Sequence, residues 1–197
     1  MSLKKYQIVY ADPPWNYQDQ GCQGTMANHY KGMRLEDIKG LPIKDITEKD
    51  AVLFLWATYP MLKEALEVIS AWGFKYKTIA FQWVKLNKKN GKYFFGLGRW
   101  TRGNTEPCLL ATKGHPHRVN NAVSQIIASP LRRHSQKPEE ARDRIVSLLG
   151  GGITKIELFA REKATGWDAW GNEVESDISL TNGNGGEHEI QKEASSN

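Results

Sequence analysis

The sequence predicts an α/β protein whose mostly parallel, open sheet is flanked by helices. Short apolar runs alternate along the chain with segments whose apolar residues recur at helical spacing. The first run ends at two consecutive prolines, Pro13 and Pro14, which stop a central strand and leave Asp12 at its carboxyl end. Open α/β sheets bind ligands at the carboxyl ends of their strands. We therefore expect a functional site that includes Asp12.

The remaining elements follow in a regular order. We expect strands over 7–11, 51–56, 75–85, 106–112, 122–128 and 153–159, and helices over 34–39, 61–72 and 139–149. The second helix carries Leu62, Leu66 and Ile69 on one face, and Gly73 ends it. The third has Pro138 at its first turn and ends at three glycines, 150–152. This alternation of strands and helices is typical of βαβ units.

Composition excludes several classes of protein. The chain has 197 residues, 40% hydrophobic and 25% charged, which is the profile of a globular domain rather than of a fibrous or disordered chain. No apolar run approaches the roughly 18 residues of a membrane span, and no signal sequence is recognisable, so we expect a cytoplasmic protein with no membrane partner. Cys22 and Cys108 are too far apart for a CxxC zinc site or a disulfide framework, and we predict no metal site.

Charge is distributed unevenly along the chain. Residues 174–197 hold five acids and one lysine and so carry −4. Residues 1–173 carry +9, and the two parts together give the net charge of +5. We expect a catalytic domain over 1–173 and an acidic, disordered tail over 174–197. Between residues 68 and 138 there are 13 Lys and Arg against one acid, Glu106. Such a basic surface predicts nucleic acid as the partner, with a solvated face as the alternative.

Two basic segments are candidates for contacts with phosphates. The Gly-rich segment 86–103 is too long for a simple connection, and it carries Lys88, Lys89, Arg99 and Arg102 interleaved with aromatic residues. Arg132 and Arg133 precede Lys137. They fit a contact with the acceptor and a solvated turn equally well. Both segments could also be solvated surface.

The tetrapeptide Asp12-Pro13-Pro14-Trp15 suits chemistry on an exocyclic amine. The lone pair of the adenine amine is delocalised into the ring, so methylation requires the nitrogen to become pyramidal. The Asp12 carboxylate and the Pro13 carbonyl can accept both amine hydrogens, and these contacts strengthen as positive charge grows on nitrogen. Trp15 offers a ring on which the base can stack. The alternative is a rigid turn with its tryptophan in the core.

A series of motifs resembles one family throughout residues 6–173. They are Ala11-Asp-Pro-Pro-Trp15, His29-Tyr-Lys-Gly-Met33, Leu53-Phe-Leu-Trp56, Trp83-Val-Lys85, Glu106-Pro-Cys108, Gln136-Lys-Pro-Glu139, Lys155-Ile-Glu-Leu-Phe-Ala-Arg161 and Gly171-Asn172. In their order and content they resemble the adenine-N6 methyltransferase family named after the seventy-kilodalton catalytic subunit of the eukaryotic messenger-RNA N6-adenosine methyltransferase. The resemblance implies a Rossmann-like methyltransferase fold, S-adenosyl-L-methionine as donor, and a base presented outside any duplex stack.

The resemblance also implies roles for individual residues. Those matching the catalytic loop are Asp12, Pro13, Pro14 and Trp15. Those matching the donor site are Ala11, Asp12, Lys137 facing the donor carboxylate, Arg161 and Asn172 on the ribose hydroxyls, and Glu173, where members often have glutamine. Those matching the acceptor pocket are Tyr30, Trp56, Trp83 and Lys85. The chain departs from the eukaryotic pattern after Arg161, where it reads Glu162-Lys163-Ala164 instead of a His-Asn pair.

The function expected from these observations is methyl transfer from S-adenosyl-L-methionine to the N6 amine of adenine in DNA. DNA is placed before RNA because no zinc finger, long N-terminal extension or separate RNA module is recognisable in the sequence. Two alternatives stay open: the same reaction on RNA, and a catalytically silent nucleic-acid-binding subunit of a methyltransferase complex. We expect a monomer or homodimer and leave a heterodimer open.

Overall fold

One sheet of seven strands organises the residues that the computed structural model describes, which are 4–16, 32–98, 100–132 and 136–180. The strands are β1 (Tyr6–Ala11), β2 (Thr47–Trp56), β3 (Lys75–Leu86), β4 (Thr105–Lys113), β5 (Ile126–Pro130), β6 (Lys155–Leu158) and β7 (Asp168–Trp170). The α-helices are α1 (Leu35–Lys39), α2 (Leu62–Ala71) and α3 (Glu140–Leu149). Single 3₁₀ turns at Ile43–Ile46 and Tyr59–Met61 precede β2 and α2. None of these helices has the length and apolar composition needed to cross a bilayer.

The strand order is β5-β3-β4-β2-β1-β6-β7, and β4 alone runs against its neighbours. The pairs β1–β2, β1–β6, β3–β5 and β6–β7 are parallel. The predicted α/β class with a mostly parallel sheet is thereby confirmed. Every strand except β4 ends at the same edge of the sheet, which we name the carboxyl edge, and β4 begins there.

Helices bury both faces of the sheet. Because successive strand residues point to opposite faces, Val9 of β1 packs in one apolar cluster with Ile69 of α2. Its neighbour Tyr10 packs in a second cluster with Ile145 of α3. Central strands buried on both faces read as continuous apolar runs. This accounts for the sequence Ala51 to Trp56 in β2.

β2 and β5 differ clearly from their expected bounds, β2 by starting at Thr47 rather than at residue 51, and β7 was not predicted. β5 starts at Ile126 rather than at residue 122, because the Asn120 side chain accepts the N–H of Ala122 at 2.8 Å and holds that stretch in a turn. The ladder with β3 begins only at the Gln82–Ile126 pair. β7 has three residues and gives too short a pattern to recognise. The three helices lie within two residues of their predicted ends.

Residues 174–180 pack with the domain, whereas the sequence analysis placed the boundary after Glu173. The Asp177 carboxylate accepts the N–H of Ala169 at 2.9 Å and the Lys163 ammonium at 2.8 Å. Leu180 is buried in the cluster of α1 and α2, and Ile178 packs against it. A carboxylate with two donors and two apolar anchors is enough to hold this segment. The rest of the expected acidic tail lies outside the described residues.

Candidate active site

The carboxyl edge brings together charged side chains from distant parts of the chain. Asp12 directly follows β1, Lys85 is the last but one residue of β3, and Glu106 is the second residue of β4. Lys137 lies between β5 and α3, directly before Pro138. The topology therefore gathers residues up to 125 positions apart at one edge.

Backbone hydrogen bonds fix the loop that carries Asp12. The N–H of Trp15 donates to the Pro13 carbonyl at 2.8 Å, which closes a tight turn around Pro14, and the Pro14 carbonyl accepts the N–H of Met33 at 2.9 Å. The half-buried Trp15 indole donates to the Trp56 carbonyl at 3.1 Å. A carbonyl oxygen has two lone pairs, so Pro13 can still accept a second donor. The loop is thus held from three sides.

Asp12, Lys137, Glu106 and Lys85 form a chain of alternating charges, which we name the charge network. Lys137 Nζ lies 2.8 Å from Asp12 Oδ2 and 3.0 Å from Glu106 Oε1. The other oxygen of Glu106, Oε2, lies 2.8 Å from Lys85 Nζ. The side chains of Lys137 and Glu106 are only 11% and 10% exposed, so these pairs are little screened by solvent.

Burial and charge shift the pKa values within the charge network in different directions. Burial raises the pKa of Asp12, because the nearby Lys137 cation offsets only part of the desolvation. Burial also opposes ionisation of Glu106, but Lys137 and Lys85 together hold its pKa below the usual range. For Lys137 the burial works against the charge, yet Asp12 and Glu106 raise its pKa above the ordinary value. Of the two carboxylates in the network, Asp12 is therefore the one shifted towards protonation.

Two tryptophans form the floor under the network. The Trp56 indole donates to the Tyr10 hydroxyl at 2.7 Å, and the Trp83 indole donates to the Ser129 carbonyl at 3.1 Å. Lys137 Nζ lies 5.6 Å from the Trp56 ring and Lys85 Nζ lies 5.0 Å from the Trp83 ring, within the range of cation–π contacts.

Three residues that the resemblance matches to an acceptor pocket, Trp56, Trp83 and Lys85, thus lie in the charge network or against its lysines. The tryptophans are 0% and 3% exposed, because β2 and β3 turn them into the core beneath α3. Lys85 pairs with Glu106. The three residues support the site from below, and any direct contact with an acceptor stays a prediction.

The ends of β6 and β7 bring the expected donor-site residues to the same edge. Phe159 adopts a positive φ of 61° at the end of β6, a conformation that is uncommon for a bulky residue. The N–H of Ala160 donates to the Trp170 carbonyl at 3.0 Å. A Cβ at Gly171 would meet the Ala160 carbonyl oxygen at 2.2 Å, so only glycine allows this approach.

This close approach sets Arg161 beside Asn172 and Glu173. Arg161 Nε lies 3.4 Å from Glu173 Oε1, and Asn172 is exposed next to them. Ala11, also expected in the donor site, is buried and pairs with Leu158 in the ladder between β1 and β6. The expected donor-site residues are therefore neighbours in the fold.

The expected nucleic-acid contacts divide into three groups. Lys88, Lys89 and Arg102 are exposed in the segment 87–104, which joins the antiparallel strands β3 and β4 and which we name the hairpin. Arg132 is instead bound by two carboxylates at the start of α3, those of Glu139 and Glu140. Arg132 is thus paired within the protein, and its contact with an acceptor stays a prediction. Three further expected residues lie outside the described part of the chain: Tyr30, Arg99 and Arg133.

Sequence reasoning assigned no role to Glu106, although it links both lysines of the charge network. A signal was present, because Glu106 is the only acid among 13 cations between residues 68 and 138. A single acid in so basic a stretch, placed in a buried strand, needs cations beside it.

Comparison with known proteins agrees with this geometry. The sequence model of the MT-A70 family matches residues 6–173. The Type II methyltransferase M.MunI of a Mycoplasma species is 33% identical over 192 residues, covering 87% of this chain and 78% of that protein. The N(6)-adenosine-methyltransferase subunit METTL3 of Danio rerio is 30% identical over 177 residues, covering 88% of this chain and 29% of that protein. The human N(6)-adenosine-methyltransferase catalytic subunit METTL3 is 29% identical over 177 residues, again with 29% of its length covered.

An open α/β sheet with Asp-Pro-Pro-Trp at its carboxyl edge, similar to these enzymes, defines a methyltransferase with a Rossmann-like fold. The chain belongs to the MT-A70 family, and the resemblance identified from its motifs is confirmed. It spans about three-quarters of the bacterial relative and less than a third of the two eukaryotic ones.

Proposed function

We propose that the chain transfers a methyl group from S-adenosyl-L-methionine to the exocyclic N6 amine of adenine in DNA. The observation that carries the proposal is the position of Asp12. Its carboxylate stands at the end of β1 beside the carbonyl of Pro13, and Lys137 occupies one of its oxygens, Oδ2. Among the contacts of the described residues this leaves Oδ1, which together with the carbonyl of the next residue, Pro13, can accept the two hydrogens of one amine.

These acceptors stabilise the transition state more than the ground state. As the N–CH₃ bond forms and the donor's S–CH₃ bond breaks, positive charge grows on the amine nitrogen, and both contacts strengthen with it. The proton that leaves the nitrogen passes to Asp12 Oδ1, whose pKa burial has raised, before it reaches solvent. When bound, the donor supplies an electrophilic methyl group on a sulfonium centre. Trp15 lies beside the acceptors, half-buried, with its ring positioned by the Trp56 carbonyl.

The residues at the edge fit such a donor. A lysine ammonium has three N–H donors, and the contacts among the described residues use two of those on Lys137, which leaves one for the donor's carboxylate. Arg161, Asn172 and Glu173 present both donors and acceptors, as the two ribose hydroxyls require. Ala11 is the buried last residue of β1, directly before Asp12.

DNA stands before RNA as the proposed acceptor because the bacterial Type II methyltransferase is 33% identical to this chain, whereas the human N(6)-adenosine-methyltransferase catalytic subunit is 29% identical. RNA is the second candidate, since both METTL3 relatives are named for adenosine. With the DNA proposal go a catalytic domain over 1–173 with residues 174–180 packed against it, a cytoplasmic location, and a monomer or homodimer as the active form. The basic hairpin supports nucleic acid as the partner.

The test is methyl transfer from labelled S-adenosyl-L-methionine by the full chain. Single- and double-stranded DNA and RNA of one sequence are compared, and the products are digested to nucleosides. We expect label in N6-methyldeoxyadenosine, and none with the Asp12→Asn variant. If label appears only in N6-methyladenosine from RNA, the acceptor is RNA rather than DNA. If no adenine in any of these polymers is labelled, the proposal is overturned.

A further inference from the structure

A groove at the carboxyl edge lies outside the charge network. It has a volume of about 540 Å³ and is lined by Leu86 of β3, Ala128 of β5, and Gly91, Lys92, Tyr93 and Phe95 of the hairpin. Tyr93 and Phe95 are 59% and 68% exposed, which is high for large aromatic residues. Apart from one lysine, the lining is apolar or aromatic.

Hydrogen bonds hold the wall of this groove in place. The hairpin returns along the end of β3, where Tyr93 pairs with Leu86. The N–H of Phe94 donates to the Lys85 carbonyl at 2.8 Å, and the N–H of Asn87 donates to the Lys92 carbonyl at 2.8 Å. The Asn87 side chain donates to the Tyr93 carbonyl at 3.1 Å. The two aromatic rings are thus carried on a fixed backbone, which lowers the entropy cost of binding against them.

Charge indicates which ligand fits the groove. No acid occurs between Leu86 and Thr105, while that stretch holds five Lys and Arg. Lys88, Lys89 and Lys92 are exposed next to the aromatic rings. An aromatic platform beside exposed cations is the arrangement that binds an unpaired base and its phosphate. A two-fold contact between copies centred on this hairpin would set the same cations against each other, which is unfavourable.

We propose that this groove stacks an unpaired base of the acceptor strand, a few nucleotides away from the target adenine. The proposal rests on the proposed function, which puts the adenine at Asp12. From β1 to β3 there are three strand spacings, about 14 Å. The groove and Asp12 face the same edge, so one extended strand can occupy both. The methyltransferase would then read a single-stranded stretch rather than one extruded base alone.

Binding of a fluorescent single-stranded deoxyoligonucleotide with one adenine tests the proposal, with S-adenosylhomocysteine present so that no transfer occurs. A set of such oligonucleotides carries an abasic site at each successive position on either side of the adenine. For the unaltered chain, one flanking abasic position should weaken binding by roughly 5- to 100-fold, the size of one lost stack. The double variant Tyr93→Ala with Phe95→Ala should bind the intact oligonucleotide more weakly by a similar factor, and that abasic site should then cost nothing further.

Tyr76→Ala is the matched control, because Tyr76 is an exposed tyrosine of the same strand, β3, near its opposite end. It should respond to each abasic site as the unaltered chain does. The proposal is overturned if the double variant keeps the full sensitivity to every abasic site, or if it changes the sedimentation of the protein but not the affinity, which would make the groove a contact between copies. Because binding is measured without turnover, this result is independent of whether adenine N6 is the methylated atom.

Discussion

The charge network and the hairpin use cations in opposite ways at the same edge of the sheet. In the network, Lys85 and Lys137 are largely buried, and each lies within 3.0 Å of a carboxylate. In the hairpin, Lys88, Lys89 and Arg102 are exposed to solvent. Both sets belong to the same basic stretch of sequence, so composition alone does not separate them. What distinguishes the two sets is the buried acid Glu106, whose carboxylate pairs with both lysines of the network.

The comparison assigns different tasks to the two regions. A buried, paired cation is expensive to rearrange and so fixes the geometry of the groups around it. An exposed cation contributes to long-range attraction and to phosphate contacts, both of which weaken with salt. We therefore expect changes in the network to alter the chemical step and donor binding, and changes in the hairpin to alter acceptor binding.

Loss of the Asp12 carboxylate should have the largest effect. In Asp12→Ala, methyl transfer should fall by roughly 10² or more, because a charge-assisted acceptor for the amine is removed from a buried site. Binding of S-adenosyl-L-methionine, measured by calorimetry, should persist, since Lys137 keeps Glu106 as a partner. Normal turnover together with normal donor binding would refute the role given to Asp12.

Loss of a donor-site cation should come next. Lys137→Ala and Arg161→Ala should each weaken binding of S-adenosyl-L-methionine and S-adenosylhomocysteine by roughly 10- to 100-fold, the size of a charge-assisted hydrogen bond. Thermal melting must accompany the measurement, because Lys137→Ala leaves two carboxylates facing each other. Lys163→Ala is the matched control, since Lys163 is exposed and paired with Asp177. Unchanged affinity in both variants would show that the donor does not bind at Lys137 and Arg161.

Charge reversal in the hairpin should change acceptor binding. With Lys88→Glu, Lys89→Glu and Arg102→Glu combined, the Michaelis constant for the acceptor should rise. The salt dependence of binding should become shallower by up to about 2 in log–log slope, as expected for three lost contacts with a single strand. The control reverses three exposed lysines at the opposite edge of the sheet: Lys49, Lys75 and Lys77. An equal effect in the control would mean that net charge alone, rather than the hairpin, attracts the acceptor.

The smallest effect concerns pH. Asp12 must be ionised to accept the amine hydrogens, so activity should fall as the pH drops through its pKa, which burial has raised. Glu106 contributes to that increase through its negative charge. In Glu106→Gln the pKa of Asp12 should therefore fall, and the acid limb of the kcat/KM profile should move to lower pH. A limb that stays in place or moves to higher pH would contradict the electrostatic account.

Much of the fold could be predicted because local signals agree with the tertiary structure. The prolines after Ala11 and the glycines after Leu149 mark real ends of β1 and α3. β5 could not be placed correctly, because its bounds depend on pairing with the second half of β3 rather than on its own residues. The segment 174–180 has the composition of a loop, and tertiary contacts such as that of Asp177 with Ala169 hold it.

The site was predictable residue by residue but not as a network. The resemblance matches Asp12 to both the catalytic loop and the donor site and Lys137 to the donor site, but nothing in the sequence predicts the 2.8 Å ion pair between them. Aromatic residues in strands serve equally as core or as ligand platforms, so sequence alone could not show that Trp56 and Trp83 are buried. The antiparallel direction of β4 brings Glu106 to the carboxyl edge, and no local sequence pattern predicts that direction.

The most direct test of the division between the two regions is the single-turnover rate of methyl transfer at saturating donor and acceptor. It compares Asp12→Asn with the hairpin variant that carries Lys88→Glu, Lys89→Glu and Arg102→Glu. The account predicts a rate about 10² or more below the unaltered chain for Asp12→Asn, and a rate within a few-fold of the unaltered chain for the hairpin variant. A single-turnover rate that is nearly normal in Asp12→Asn, or equally reduced in the hairpin variant, would contradict it.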